Sequence, residues 1–330
     1  MPEQLVTIRT SERTCYKTCR QQWWWSYVEH LRPKDVRPAL GFGDLVHKSL
    51  EAYYPPGKKR RGKPSKHLIR IYRKMLEDGA EEIFPIKDDP TITAEDLGVE
   101  MLDNYVAEYG DDERYEVIAS EMTFQVDVFH PKTGKYLYTY VGTTDGIWRD
   151  LFTGWLVVLE TKTGQNLAPF GAPTWNDEQA GSYLTFAPFW LKAKGILGPD
   201  EFVDYVLYNR LRKAFADQRP MNSEGLYLNQ NGTISVRQPP PLFKREPVYR
   251  GEGDRISMLN RTLAEVREMA LARQGKLKIT KTPGQHCNWC DHKEMCEVHE
   301  ARSDWRAIRR SLYTTWEPYE AHEIELERSH

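Results

Sequence analysis

The chain has 330 residues, 40% of them hydrophobic, which is enough to bury a sizeable core in one large domain or two small ones. A mean hydropathy of -0.67, the lack of any apolar run of about 18 residues and the lack of a secretory signal over residues 1–10 argue against a membrane span and for a soluble, intracellular (cytoplasmic) protein. The formal net charge of -2 excludes a global basic field, so any contact with nucleic acid has to use local charge.

Residues 11–31 read as a helix with Ser11 as its N-cap. It carries the aromatic run Trp23, Trp24, Trp25 and Tyr27. A helix cannot point three consecutive side chains the same way, so at least one tryptophan belongs to the core, while others are candidates for base stacking. Pro33 and Pro38 interrupt the pattern, and a second helix spans 41–54 with His47 on it. The loop 55–66 carries Lys58, Lys59, Arg60, Arg61 and Lys63, which suits either a solvated surface or a DNA-binding edge that neutralises phosphates on the way to a metal site. Residues 66–84 and 93–109 look helical. From about 116 to 162 the chain alternates and is rich in Val, Tyr, Phe and Thr, with turns at 130–135 and 151–154, which predicts strands. Residues 176–194 are helical, 202–213 strand-like, and 225–237 offer short strands before the exposed run Pro239, Pro240, Pro241. An amphipathic helix covers 255–273, a compact cysteine-bearing stretch covers 282–297, and the last fifteen residues are expected to fray.

The central hairpin carries the chemistry. Asp145 and Glu160 lie equally far from the centre of the turn 151–154, so pairing without a bulge sets them face to face. Like charges directly opposite are destabilising, and the apolar run 155–159 suggests a strand buried on both faces. A divalent metal is the natural compensating charge, since Mg²⁺ is usually held by one or two carboxylates plus substrate oxygens. Lys162 points to the same face as Glu160, where an ammonium would orient water or stabilise charge on a phosphate. The bland alternative is three ordinary charged residues on a solvated strand. Gln179 and Tyr183, four apart, share one helix face.

The five cysteines, Cys15, Cys19, Cys287, Cys290 and Cys296, sit at the two extremes of the chain. An odd count in a reducing compartment points to metal rather than to a disulfide framework. Thiolates at this spacing suit an iron–sulfur cluster or zinc, with His286, His292 and His299 near enough in sequence to complete a zinc site.

These motifs, in this order, resemble the RecB-type branch of the PD-(D/E)XK nucleases, especially the CRISPR-associated exonucleases (Cas-four) and the AddB nuclease domain. The matching pieces are Gly43 to His47, Gly142-Thr143-Thr144-Asp145, Glu160-Thr161-Lys162, Gln179 to Tyr183, and one early cysteine with three late ones. The family usually has a proline after its first cysteine; this chain has Arg20. Cys19 is preferred over Cys15 because the aromatic run then falls where the family has its own.

The resemblance implies an α/β PD-(D/E)XK nuclease fold, a central mixed sheet flanked by helices. It implies a single domain over 1–330: a helical Fe–S lobe from 1–40 and 255–300, a nuclease core at 41–215 and a tail at 301–330. His47, Asp145, Glu160 and the carbonyl of Thr161 would bind Mg²⁺ or Mn²⁺. Lys162 would act beside the nucleophilic water, with Gln179 and Tyr183 holding Lys162 or the DNA backbone. Cys19, Cys287, Cys290 and Cys296 would bind a structural [4Fe–4S] cluster, with zinc the alternative. The expected activity is exonucleolytic hydrolysis of single-stranded or end-exposed DNA, with recombination or repair proteins as partners. An endonuclease and a silent nucleic-acid-binding module stay open.

Overall fold

A computed structural model describes residues 6–34, 41–86, 89, 91–167 and 174–319. In chain order the first half forms β1 (Thr7–Ile8), α1 (Thr10–Thr18), α2 (Arg20–Trp23), β2 (Leu31–Pro33), α3 (Phe42–Tyr53), α4 (Pro64–Glu77), α5 (Ala94–Tyr109), β3 (Tyr115–Phe129), β4 (Tyr136–Asp150) and β5 (Leu156–Gly164). The second half forms α6 (Glu178–Ala193), β6 (Val203–Arg212), β7 (Phe243–Tyr249), α7 (Glu252–Arg273), α8 (Lys293–Glu300), α9 (Trp305–Leu312) and β8 (Tyr313–Thr315).

The alternating stretch folds as expected into β3, β4 and β5, joined antiparallel. β6 adds parallel to β5, and β7 closes that side antiparallel. This makes a mixed sheet flanked by helices. β3 pairs with β4 along nearly all of its length, so the other strands must share β4's second edge. β1 takes Thr139 and Tyr140 there, and β5 takes Gly146 to Arg149. Between them, residues 141–145 of β4 face no strand on that edge among the described residues. This notch is where the candidate site forms.

Apolar residues on alternate sheet positions build two cores. One face, with Tyr140, Val158, Val206, Tyr208 and Val248, packs under α6. The other, with Trp148, Val157, Leu159, Tyr205 and Leu207, packs under α3, α4 and α5. α6 is buried without a break from Ala180 to Pro188, because α7 covers its outer side: Met258 of α7 stands beside Gly181 and Ser182. α5 begins at a capping box, Thr93 with Asp96, which satisfies two free backbone amides of its first turn.

Several sequence expectations are corrected. The helix expected over 11–31 is broken at Cys19, whose backbone is extended, and its N-cap position is Arg9 rather than Ser11, with no capping hydrogen bond from the side chain; residues 24–28 continue as a π-helical turn. The helix expected over 66–84 runs from Pro64 to Glu77, because Gly79 takes a positive φ of 91° and ends it. In 225–237 only isolated bridges form among the described residues. The last long strand is β7, missed because three charged residues and Pro247 mask it; proline is tolerated there because β7 lies at the sheet edge. Within the tail at 301–330, α9 forms and β8 pairs with β2. The expected fraying beyond 319 lies outside the described residues. No helix among the described residues is long and apolar enough to cross a membrane.

Candidate active site and metal centre

The register predicted for the hairpin holds: Gly146 pairs with Leu159, so Asp145 and Glu160 occupy the next step, where the ladder opens into the notch. The Asp145 carboxylate turns across it and accepts the backbone N–H of Thr161 at 2.5 Å. From the α3 side, His47 brings Nδ1 to 3.3 Å from Asp145 Oδ1. The motif glycine at the start of α3 has a steric reason: a Cβ on Gly43 would lie 2.9 Å from Thr163 Oγ1, so a larger residue would make that hydroxyl or the helix shift. Gly142 is alike, since its Cβ would meet the Phe124 ring at 2.6 Å.

From the α6 side come Gln179 and Tyr183. Lys162 Nζ donates to Glu160 Oε1 at 2.5 Å and to Gln179 Oε1 at 2.9 Å. The Gln179 amide nitrogen donates to Glu160 Oε1 at 2.9 Å and to the Tyr183 hydroxyl at 2.7 Å. Tyr183 in turn donates to the carbonyl of Thr143 in the notch. Gln179 thus uses both ends of its amide, which fixes its orientation and holds Lys162 against Glu160. The structure therefore brings His47, Asp145, Glu160, Thr161, Lys162, Gln179 and Tyr183 into one place from four elements, α3, β4, β5 and α6.

The electrostatics are those of a site built for positive charge. Burial pushes the Glu160 carboxyl up to about 7, Asp145 adds to the rise, and Lys162 and His47 oppose it. Burial would lower His47, but Asp145 overrides it and the imidazole is raised. Burial would also lower Lys162, but Glu160 raises it and keeps it an ammonium. The Tyr183 hydroxyl is pushed well above its ordinary value by burial and stays a neutral donor. Glu160 Oε2 is buried and has no hydrogen-bond partner. An orphaned carboxylate oxygen beside a second carboxylate and an imidazole fits a divalent cation. Among the described residues no three His, Cys, Asp or Glu side chains are already drawn into a closed cage, so a metal here would also rely on water, backbone or substrate oxygens.

A cleft of about 770 Å³ runs from Thr143, Gln179 and Tyr183 to the cysteine loop, where His286, Trp289 and Cys290 line it. Cys15, from the N-terminal end of the chain, lines the same cleft as Cys290. Burial pushes the Cys290 thiol up to about 11, with Cys19 and Cys296 adding to it. Burial likewise raises Cys296, which Lys281 opposes and Cys19 and Cys287 reinforce. Cys15 is pushed up to about 12 by burial, then by Cys19 and Cys290. Of the histidines weighed for zinc, His292 is buried against Trp25 and Tyr313 and bonded to Ser26 at 2.8 Å.

Two groups of sequence candidates lie elsewhere. The loop with Lys58, Lys59, Arg60, Arg61 and Lys63 follows the far end of α3. Arg60 donates there to the carbonyls of Asp112 and Tyr115, and Tyr115 pairs with Asp150 beside the 151–154 turn, so the loop sits at the end of the sheet opposite Lys162. The loop lies away from the metal-binding residues. Trp23 and Trp25 are buried in two different cores. Asp177 was missed. It caps α6 through the Ala180 N–H and accepts the Tyr208 hydroxyl at 2.5 Å, setting the angle at which α6 presents Gln179. An Asp just before an apolar helix is a readable cap signal.

A family model described as the PD-(D/E)XK nuclease superfamily matches residues 10–297. Among solved structures, the crystal structure of SSO0001 aligns over 79% of this chain and 87% of its own, at 12% identity and a TM-score of 0.26. No curated protein matches the chain.

Proposed function

The chain belongs to the PD-(D/E)XK nuclease superfamily, and from that premise we propose that it is a metal-dependent DNA exonuclease of the RecB type, hydrolysing phosphodiester bonds of single-stranded or end-exposed DNA in recombination or repair. The observation that carries this is the orphaned Glu160 Oε2, set beside Asp145 and His47 with an ammonium two residues away. His47, Asp145, Glu160 and the carbonyl of Thr161 would hold the ion. Mg²⁺ or Mn²⁺ bound there would supply a water of lowered pKa and a Lewis acid for the scissile phosphate. Lys162, with 42% of its side chain exposed, reaches solvent from the buried carboxylates, and the one ammonium hydrogen not given to Glu160 or Gln179 is available to a phosphate oxygen or the attacking water. Gln179 and Tyr183 keep that ammonium in place.

The second part of the proposal is a [4Fe–4S] cluster on Cys19, Cys287, Cys290 and Cys296. Their mutual influence across the two chain ends supports it, and the donor set fits the chemistry. Cys19 acts on both Cys290 and Cys296 and stands at the helix break, which favours it over Cys15. Zinc is the competing occupant, and iron analysis of anaerobically purified protein separates the two.

The test of activity is Mn²⁺-dependent degradation of end-labelled linear single-stranded DNA by the parent and by Lys162→Ala. The parent is expected to cut and the variant to lose about 100-fold or more, in the range of a lost charge-stabilising group. Equal cutting by both would sink the assignment of Lys162. A closed circular single strand should survive the parent; its degradation would turn the reading to an endonuclease. Binding of DNA with no cutting by the folded, metal-loaded parent would leave a nucleic-acid-binding module.

A further inference from the structure

We propose that the ends of β5, β6 and β7 beyond the catalytic carboxylates form a phosphate track for the DNA strand, with Trp175 as a stacking face for an unpaired base. This rests on the nuclease reading and adds to it the residues that grip the substrate outside the reacting centre.

The strand register builds the track. Lys162 stands opposite Arg210, and Arg210 stands opposite Lys244. Residues in register on neighbouring strands point to one face, and strands lie about 4.8 Å apart, so the row spans about 10 Å. It sits on the face that carries Glu160, Tyr208 and Glu246 one step inward. Arg212, two residues beyond Arg210, shares that face.

The charges in this row are not matched internally. Lys162 is held by Glu160, but Glu246 is shared between Arg210 Nε at 3.4 Å and Lys244 Nζ at 3.5 Å. Neither the Arg210 Nε nor that carboxylate oxygen of Glu246 makes a hydrogen bond. The Arg210 side chain is nevertheless only 9% exposed, its guanidinium lying 4.7 Å from the Tyr208 ring centroid. Arg212 donates to the carbonyl of Pro240, and its Nε is buried without a partner. A buried guanidinium whose Nε makes no hydrogen bond, and whose anion is shared with a second cation, is under-satisfied, and the planar fork of arginine matches phosphate oxygens. The row therefore carries surplus positive charge next to the metal-binding carboxylates, although the whole chain carries a net charge of -2.

Trp175 is 72% exposed. It lies in a 3-10 turn two residues ahead of Asp177, whose carboxylate is bonded to Tyr208, the residue opposite Glu160 and Glu246 in the sheet. A large exposed indole beside a cationic row is the pairing that single-stranded nucleic acid uses, phosphates on cations and a base on an aromatic face. A base in the interior of a duplex has both faces stacked against its neighbours, so the ligand class is a strand with unpaired bases, tested as a flexible single strand.

The test is binding of a fluorescein-labelled oligothymidylate in EDTA, where no cutting occurs, over a salt series. Lys244 is 49% exposed, so Lys244→Ala should fold normally. One lost phosphate contact on a single strand flattens the dependence of log K on log salt by about 0.7, so the parent-to-variant affinity ratio should shrink about 2.6-fold from 50 to 200 mM salt. Trp175→Ala should weaken binding about fivefold or more at every salt concentration with the slope unchanged. Lys74→Ala, on α4 with 74% of its side chain exposed, should match the parent. An unchanged slope for Lys244→Ala overturns the track, an unchanged affinity for Trp175→Ala removes the stacking face, and a parent that does not bind overturns both. If the parent cuts DNA while Lys244→Ala binds as the parent does, the track fails and the nuclease reading stands.

Discussion

Glu160 keeps a carboxylate in the core beside Asp145, and its raised pKa means the folded chain holds that proton more tightly than the unfolded chain does. Stability of the metal-free protein should therefore fall as pH rises from the ordinary 4.5 through about 7. Glu160→Gln should remove that fall, leaving the metal-free variant more stable than the parent at pH 8. Mn²⁺ at 100 times its Kd should stabilise the parent by about 2.7 kcal/mol and the variant far less. Thermal melts with and without Mn²⁺ read both effects, and an equal Mn²⁺ shift in the two proteins would remove Glu160 from the metal centre. Gly142 serves the same site sterically. Gly142→Ala should cost about 1–3 kcal/mol in denaturant unfolding, because the added carbon runs into the rigid Phe124 ring; a neutral result would mean the ring swings away.

The helix carrying Gln179 is tied to the N-terminal helix by ions. Arg13 of α1 is fully buried, donating to Glu178 Oε2 at 2.9 Å on α6 and to Glu265 Oε2 at 2.5 Å on α7. Glu178 is the first residue of α6 and the neighbour of Gln179. Arg13→Ala removes the buried partner of both carboxylates and leaves Lys17, 3.1 Å from Glu178 and 3.4 Å from Glu265, as their shared cation beside an empty space, which should cost about 3 kcal/mol. Burial alone would raise the Glu178 carboxyl, but Lys17 and then Arg13 hold it below its ordinary 4.5. The contribution of this pair is thus present above pH 4.5 and lost as pH falls below it, so parent and variant should converge in stability in acid. A gap that stays constant down to pH 3 would assign the loss to packing rather than charge.

At the scale of the molecule, the two ends of the chain are one structure. β2 pairs with β8, Trp25, Leu31, Met295 and Tyr313 share a small core, and buried Glu12 accepts from Trp23, Arg273 and Tyr319. Cross-linking such distant segments removes much closure entropy from the unfolded chain, though that gain grows slowly with loop length. Cys290→Ala should abolish bound iron and lower the melting temperature by several degrees, read by iron analysis and calorimetry. Iron content equal to the parent's would reject the cluster assignment.

The sequence by itself determined the local and periodic features. Alternation over the central stretch produced the three antiparallel strands, the symmetric placement of Asp145 and Glu160 about one short turn set their register, and the four-residue spacing of Gln179 and Tyr183 put both on one helix face. These follow from backbone geometry that acts over a few residues. Only the tertiary structure decided the rest. β7 hides behind its charges because an edge strand needs no apolar face, and the short strands β1, β2 and β8 gain their order from partners more than 100 residues away. The cationic loop at 58–63 was placed at the far end of the sheet by the length of α3, while Lys162, Arg210 and Lys244 became a row through two successive pairings. Register between strands distant in sequence depends on which faces are buried together, and that is a property of the packed core rather than of any one segment.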